Sequence, residues 1–408
     1  MKHLAWLSFL PMMAFAGNLN ELVNFAQTNK KVEASQYSLE AAKEKEYATK
    51  SSYLPNLTLG ANQTFNQVES MLAPDKSRTG SATVSFVLYD GGKREALFEQ
   101  QAALVKSATF SMASTKNDAS LNVVYYYYNY LSTLASKEAM LQKMDQLQAE
   151  RQRLEKYASV ELTTADEVQK IISNIEQTKV DLLTLDNTLN NMLNTLEYLT
   201  GKEVRVEAGS HILFADEKDK SERYDILALE ESIQSAKAEA SAAKSGFLPT
   251  FSIQDSYSRY KYDYENPLWQ SDGNHQNVVQ LNMQWKVFDF GSTSASYQSA
   301  HKNYLAKSSE LAYEKERAKA SYKSAQNSYK SALAKIEAAK ARLVASETTY
   351  ELVKKKFQQG IVNNVAYLDA LSDKYSAQSS LQTALNEVEY QKAVLVYEMG
   401  QEIKGAIQ

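Results

Sequence analysis

The chain is written twice. Ser52-Tyr53-Leu54-Pro55-Asn56-Leu57 is matched by Gly246-Phe247-Leu248-Pro249-Thr250-Phe251, and Phe86-Val87-Leu88-Tyr89-Asp90-Gly91-Gly92 by Trp285-Lys286-Val287-Phe288-Asp289-Phe290-Gly291. Further along, Lys156-Tyr157 with Leu162-Thr163 is matched by Lys356-Phe357 with Val362-Asn363, and Leu199-Thr200-Gly201 by Glu398-Met399-Gly400. The spacings are 194, 199, 200 and 199 residues, in the same order along both halves. A repeat of this length is one structural unit used twice, so any fold for one half must serve the other.

Each half carries two stretches of period-two alternation. In the first, Leu57, Leu59, Ala61 and Phe65 alternate with Asn56, Thr58, Asn62, Thr64 and Asn66, then Ala82, Val84, Phe86 and Leu88 with Ser81, Thr83 and Ser85. In the second, Phe251, Ile253 and Tyr257 alternate with Thr250, Ser252, Gln254, Ser256 and Ser258, then Val279, Leu281, Met283, Trp285 and Val287 with Gln280, Asn282, Gln284 and Lys286. Period two sorts side chains onto two faces and predicts four strands of about ten residues, the length of a tilted membrane-crossing strand. Four strands cannot close a barrel, and lipid does not tolerate unpaired edges. A membrane reading therefore requires several copies to share one barrel; three copies supply twelve strands.

The remainder reads as helix. Only 13 glycines and 5 prolines occur in 408 residues, and none lies in 93–159 or 292–359, where alanine, glutamine, lysine, glutamate and leucine dominate. Each run predicts roughly 100 Å of helix at about 1.5 Å per residue, the signature of a coiled coil or helical tube. Shorter helices are expected over 163–200 and 363–401, and before the strands over 19–52 and 222–245. Tyr125–Tyr128 and Tyr130 are read as packing residues whose hydroxyls find water or a neighbour. Residues 201–220 are polar and read as a linker, with a short strand over 203–207.

Met1-Lys2-His3, the apolar run Leu4–Phe15 and Ala14-Phe15-Ala16 form a signal-peptide pattern, with the mature chain expected to begin at Gly17. After Ala16 no run of 18 apolar residues follows, so an exported chain that crosses a membrane is expected to do so as a β-barrel. The formal net charge of −4 has no basic stripe within it, which argues against nucleic acid. The absence of cysteine excludes disulfides and thiolate chemistry. The four histidines are dispersed, no HExxH or P-loop is present, and neither catalysis, a cofactor nor a metal site is expected.

The signal peptide, the duplicated halves, Tyr-Leu-Pro-Asn-Leu at 53–57, Phe-Leu-Pro-Thr-Phe at 247–251, Asp-Gly-Gly at 90–92 and Phe-Asp-Phe-Gly at 288–291 resemble the outer-membrane efflux protein (TolC) family. Most specific is Lys356-Phe357-Gln358-Gln359-Gly360 followed by Ala366-Tyr367-Leu368-Asp369-Ala370, similar to that family's aromatic-x-x-Gly periplasmic tip. The resemblance implies a mainly α chain with a transmembrane β-barrel portion. It implies a homotrimer whose twelve-stranded barrel sits in outer-membrane lipid and continues as a helical barrel through the periplasm. It implies a passive exit duct, for drug efflux or type I secretion, fed by an inner-membrane transporter and a periplasmic adaptor (membrane fusion) protein. Carried over residue by residue, Tyr157, Val160, Leu162, Phe357, Gly360 and Val362 form the adaptor-docking turns. Asp166 and Asp369 line the periplasmic aperture, where threefold rings of carboxylates would favour cations.

The expected organisation is a signal peptide (1–16), first-repeat helices (17–52 with 92–200), a first barrel hairpin (53–91) and an equatorial linker (201–221). Second-repeat helices (222–246 with 291–403) and a second barrel hairpin (247–290) complete it. The chain departs from the family pattern at Val160, where glycine is usual. It also has Phe357 and Val362 where a gated member has tyrosine and arginine, and Ala366 where a second aspartate can occur. The competing reading is a periplasmic coiled-coil or adaptor protein without a barrel, which accounts for the helices and not for the four alternating strands.

Overall fold

Glycine and proline positions decide where the helices stop. The structure, a computed structural model, describes residues 15–214, 220–269 and 274–408. The expected signal peptide lies outside the described residues except for Phe15 and Ala16. These two, with Gly17, form strand β1 (Phe15–Gly17). Helices α1 (Leu19–Ala26) and α2 (Lys30–Ser51) follow, then strands β2 (Asn56–Phe65) and β3 (Lys76–Tyr89), then α3 (Lys93–Ala158) and α4 (Ala165–Thr200). A short strand β4 (Val204–Val206) precedes the second copy: α5 (Tyr224–Lys244), β5 (Thr250–Asp263), β6 (His275–Gln284), α6 (Ser292–Gln358) and α7 (Asn364–Glu398). The order helix, two strands, long helix, shorter helix occurs twice, as the sequence repeat requires.

Three details differ from the sequence expectation: β3 and β5 run to 14 residues instead of about ten, and two element boundaries move. The helix expected over 19–52 is broken at 27–29, because Asn29 starts a new one. Its Oδ1 accepts from Val32 N at 3.0 Å as an N-cap, and its Nδ2 donates to Leu199 O at 2.8 Å. The last strand ends at Gln284, so the alternating Trp285 and Val287 stand outside the ladder. There Trp285 Nε1 donates to Phe247 O at 3.2 Å.

The chain divides into two compact units. One comprises residues 36–111 and 225–314 and holds the sheet; the other comprises the chain up to 35 with 112–224 and 315–408. In the first, the four strands form an antiparallel sheet in the order β2-β3-β5-β6, with Leu57 opposite Val84, Val84 opposite Asp255, and Asp255 opposite Val279. Both strand-to-helix corners use two consecutive left-handed residues, Gly91 and Gly92 (φ 71° and 82°) and Phe290 and Gly291 (φ 54° and 86°). A Cβ on Gly91 would lie 2.9 Å from Ser245 O and from Leu248 Cβ, so that corner needs glycine for space as well as for its backbone angle.

In the second unit α1 shows why it is a helix. Leu19, Leu22, Val23 and Ala26 recur at helical spacing and are fully buried against Val123, Val124 and Tyr127 of α3, Leu196 of α4 and Val396 of α7. Burying each large apolar side chain contributes about 1.5–3 kcal/mol. Within the tyrosine run, Tyr127 and Tyr128 take the packing role expected of it, whereas Tyr125 is 43% exposed. Tyr127 and Tyr128 are buried, and their hydroxyls donate to Glu207 O at 2.6 Å and Ser210 O at 3.0 Å, fastening the linker to α3. Glu389 of α7 accepts from Ile212 N at 2.7 Å, a further fastening.

Candidate functional site

In the second unit each pair of helices meets at a tight tip. Between α6 and α7 the intervening residues are 359–363; between α3 and α4 they are 159–164, one residue more. The hydrogen bonds show where the extra residue goes. At the second tip Ile361 N donates to Lys356 O (2.9 Å) and Gly360 N to Phe357 O (3.0 Å), with Gly360 left-handed at φ 75°. At the first, Leu162 N donates to Tyr157 O (2.9 Å) and Glu161 N to Ala158 O (3.1 Å), with Glu161 left-handed at φ 62°. Both are the Schellman arrangement, in which one left-handed residue closes the helix. Val160, the residue 200 before Gly360, is therefore not its structural counterpart; Glu161 is.

The tips leave by different caps. Asn363 Oδ1 accepts from Ala366 N at 3.0 Å, a helix N-cap. Thr164 makes no such bond, and its hydroxyl bonds the Asp166 carboxylate instead. That bond, and the Lys170 ammonium at 3.1 Å, hold the Asp166 carboxyl below the usual range. Asp369 stands exposed on α7, with Asp373 exposed one turn on.

The side chains carried over as docking residues separate by exposure. Val160, Leu162 and Gly360 are exposed, Tyr157 is half-exposed, and Val362 packs partly against the core. Phe357 is only 9% exposed. Its ring stacks on Tyr367 at 4.8 Å, and the Arg153 guanidinium lies over it at 4.8 Å and over Tyr157 at 5.4 Å. Arg153 is held by Glu150, Nε at 3.0 Å and Nη2 at 2.5 Å from the same carboxylate oxygen. Asn364, 1% exposed, donates from Nδ2 to Glu167 O at 3.2 Å, tying the start of α7 to α4. An open cleft of about 520 Å³ lies between the tips, lined by Arg153, Tyr157, Leu162, Glu167, Phe357 and Val362 among others. Burial pushes the Tyr367 hydroxyl up, with neighbouring Tyr350 adding to the effect.

Arg153, Glu150, Asn364 and the exposed Ile361 were not singled out from sequence. An arginine four residues before an aromatic is the one local signal for Arg153. For Asn364 nothing local distinguishes it from the capping Asn363 beside it.

The sheet of the other unit has two unlike faces. Leu57, Leu59, Val84, Phe86, Ile253, Tyr257, Val279 and Leu281 share one by register and alternation. The opposite face is polar: Thr83 and Ser256 hydroxyls meet at 3.0 Å, and Ser85 donates to Asn56 at 2.8 Å. β2 is exposed at every position and β6 at every position but one, and these are the two edges of the sheet. Asp255, which the alternation pattern passed over, lies in the middle of the apolar face. No helix among the described residues is long and apolar enough to cross a membrane.

A duplicated, mainly helical chain with an open four-stranded sheet, apolar on one face and polar on the other, defines a narrow class of protein. Known proteins similar to this chain share that architecture. Residues 218–400 match the family "Outer membrane efflux protein". Outer membrane protein TolC of Escherichia coli (strain K12) is 24% identical over 408 residues, covering 93% of this chain and 81% of the relative. Among solved structures, a membrane protein from Pseudomonas aeruginosa superposes with a TM-score of 0.85 at 17% identity, over 95% of this chain and 91% of that one. The outer membrane protein VceC from Vibrio cholerae does so with 0.83 at 16% identity, over 94% and 96%. These structural likenesses establish the fold. In sequence, the chain is similar to outer membrane efflux proteins over residues 218–400 and to TolC along most of its length.

Proposed function

We propose that the chain is one subunit of a trimeric outer-membrane exit duct. The observation that carries this reading is the sheet: four strands, one face apolar, the other polar, and both edges unpaired. Such edges are not tolerated in lipid, and closure by three copies gives a twelve-stranded barrel with the apolar faces outward and the polar faces lining a channel. The helices extend into the periplasm. An inner-membrane transporter supplies energy and substrate, and a periplasmic adaptor docks at the tips. Val160, Leu162 and Ile361, exposed and apolar, with Gly360 at the tight turn, form the docking surface. Asp166 and Asp369 contribute carboxylate rings near the aperture. Substrate choice lies with the transporter, so the duct serves drug efflux or protein secretion without chemistry of its own.

Membrane fractionation with unheated and heated electrophoresis tests the reading. An outer-membrane species of three times the subunit mass that collapses on boiling is expected. A monomer confined to the soluble periplasm overturns it in favour of a coiled-coil periplasmic protein.

A further inference from the structure

The apolar face of the sheet changes character at its loop end. Beyond the rows of Ile253 and Tyr257, the same face carries Arg259 and Lys261 on β5 and Lys76 and Arg78 on β3, all beside the hairpin loops and away from the helices. Arg259 lies opposite Gly80 and His275, and Lys261 lies opposite Arg78. Two cations directly across a strand pair repel, and such a pair destabilises a sheet. Compensation within the chain is partial. Arg78 Nη2 is 3.5 Å from Asp263, and Lys76 Nζ is 3.4 Å from Asp75. Arg259 and Lys261 have no ion-pair partner among the described residues, and both are exposed. Successive residues on one face of a strand are about 7 Å apart, so Arg78, Arg259 and Lys261 are near neighbours on that face, close enough for one phosphate-bearing headgroup to reach.

We infer that Arg78, Arg259 and Lys261 form a binding site for the phosphate groups of an anionic lipid headgroup in the outer leaflet. This rests on the exit-duct reading, which puts the loop end of the sheet at the cell exterior and its apolar face against lipid. The choice of a lipid over a free anion follows from placement. The cations stand on the lipid-facing side, directly above the apolar rows that acyl chains would cover, and not on the polar channel face. A headgroup phosphate there relieves the Arg78–Lys261 repulsion while its chains cover Leu59, Ala82 and Tyr257.

The test uses the detergent-purified full-length protein and the double variant Arg259→Gln with Lys261→Gln. A diphosphorylated glycolipid, the same glycolipid without phosphates and inorganic phosphate are each titrated in neutral micelles, with bound lipid counted by native mass spectrometry. The diphosphorylated lipid is expected to bind wild type in preference to the dephosphorylated one, and to bind the double variant about 30-fold more weakly, each cation near a headgroup layer contributing about one step of that loss. Equal binding to wild type and variant, or equal binding of the two glycolipids, overturns the site. Competition by inorganic phosphate at the same concentration as the lipid overturns the lipid assignment. Heat-sensitive trimer in the outer-membrane fraction is scored alongside: trimer without lipid preference sinks this inference alone, and absence of trimer sinks the exit-duct reading with it.

Discussion

Glu161 and Gly360 occupy the same left-handed position at the two tips, although the 200-residue repeat aligns Gly360 with Val160. The first tip closes one residue later and puts a side chain where only glycine is unstrained. A left-handed L-residue costs roughly 1–2 kcal/mol. Glu161→Gly is therefore expected to raise the thermal midpoint of the protein, and Gly360→Ala to lower it, each by an effect of about 1 kcal/mol. Calorimetry of the purified protein checks both signs. Gly360→Trp, with trimer and membrane insertion retained, is expected to block export; normal export there removes the tip from the docking surface.

Arg153 ties the first tip to the second through its position over Phe357 and Tyr157. Removing it leaves Glu150, whose side chain is only 10% exposed, without its cation. An unsatisfied buried acceptor costs about 1–3 kcal/mol. Arg153→Ala is expected to destabilise by that order and to loosen both tips, seen as faster amide exchange in 154–167 and 357–367. Arg153→Lys keeps a charge and loses the planar contact with the rings, so it restores only part of the stability. Full recovery with lysine would show that charge alone holds the tips.

Much of the fold was legible and much of the site was not, for one physical reason. Strands are written as period-two alternation and long helices as runs free of glycine and proline, so the four-strand pattern and Lys93–Ala158 are readable without neighbours. The burial of Phe357 depends on Tyr367 and Arg153, which reach it from other turns of the chain. Motif spacing marked Phe357 as part of a tip but carried no information about which way it faces. The break at Asn29 was likewise hidden, because it depends on the distant Leu199 carbonyl as well as on a local cap.

Tyr367 makes the tip sensitive to alkali. Burial raises its folded pKa above the unfolded value of about 10. A raised folded pKa means the contribution is complete below about pH 10 and is lost as pH rises beyond it. The thermal midpoint is expected to be level from pH 7 to 9 and to fall above pH 10, with Tyr367→Phe showing a shallower fall. An identical alkaline limb in the variant would assign the titration to other buried tyrosines such as Tyr128.

The two carboxylates proposed for the aperture, Asp166 and Asp369, are not equivalent. Asp166 is paired with Lys170 at 3.1 Å, whereas Asp369 is exposed beside Asp373 one turn away. A paired carboxylate contributes less to the field of a pore than one reinforced by a like neighbour. In planar bilayers Asp369→Asn is expected to reduce block by divalent cations several-fold, and Asp166→Asn to change it less. Equal effects would mean that the Asp166–Lys170 pair opens in the assembled channel, and no effect from either would return both residues to solvated helix surface.

Asp255 sits where lipid is expected, with Val84 and Val279 directly across from it on the neighbouring strands and Ile253 and Tyr257 flanking it on its own. A charge on the lipid face of a barrel destabilises it, by less for a carboxylate than for a lysine or arginine, and most at mid-bilayer. Asp255→Leu is expected to stabilise the reconstituted barrel by about 1–2 kcal/mol. Urea unfolding in phospholipid vesicles, followed by tryptophan fluorescence, measures the difference. Because Asp255 lies on a central strand, away from the β2 and β6 edges, the gain must come from the lipid face and not from contacts between subunits. A loss of stability instead of a gain would place a polar partner against Asp255 in the assembled barrel, and would mean that this face is not bare to lipid at its centre.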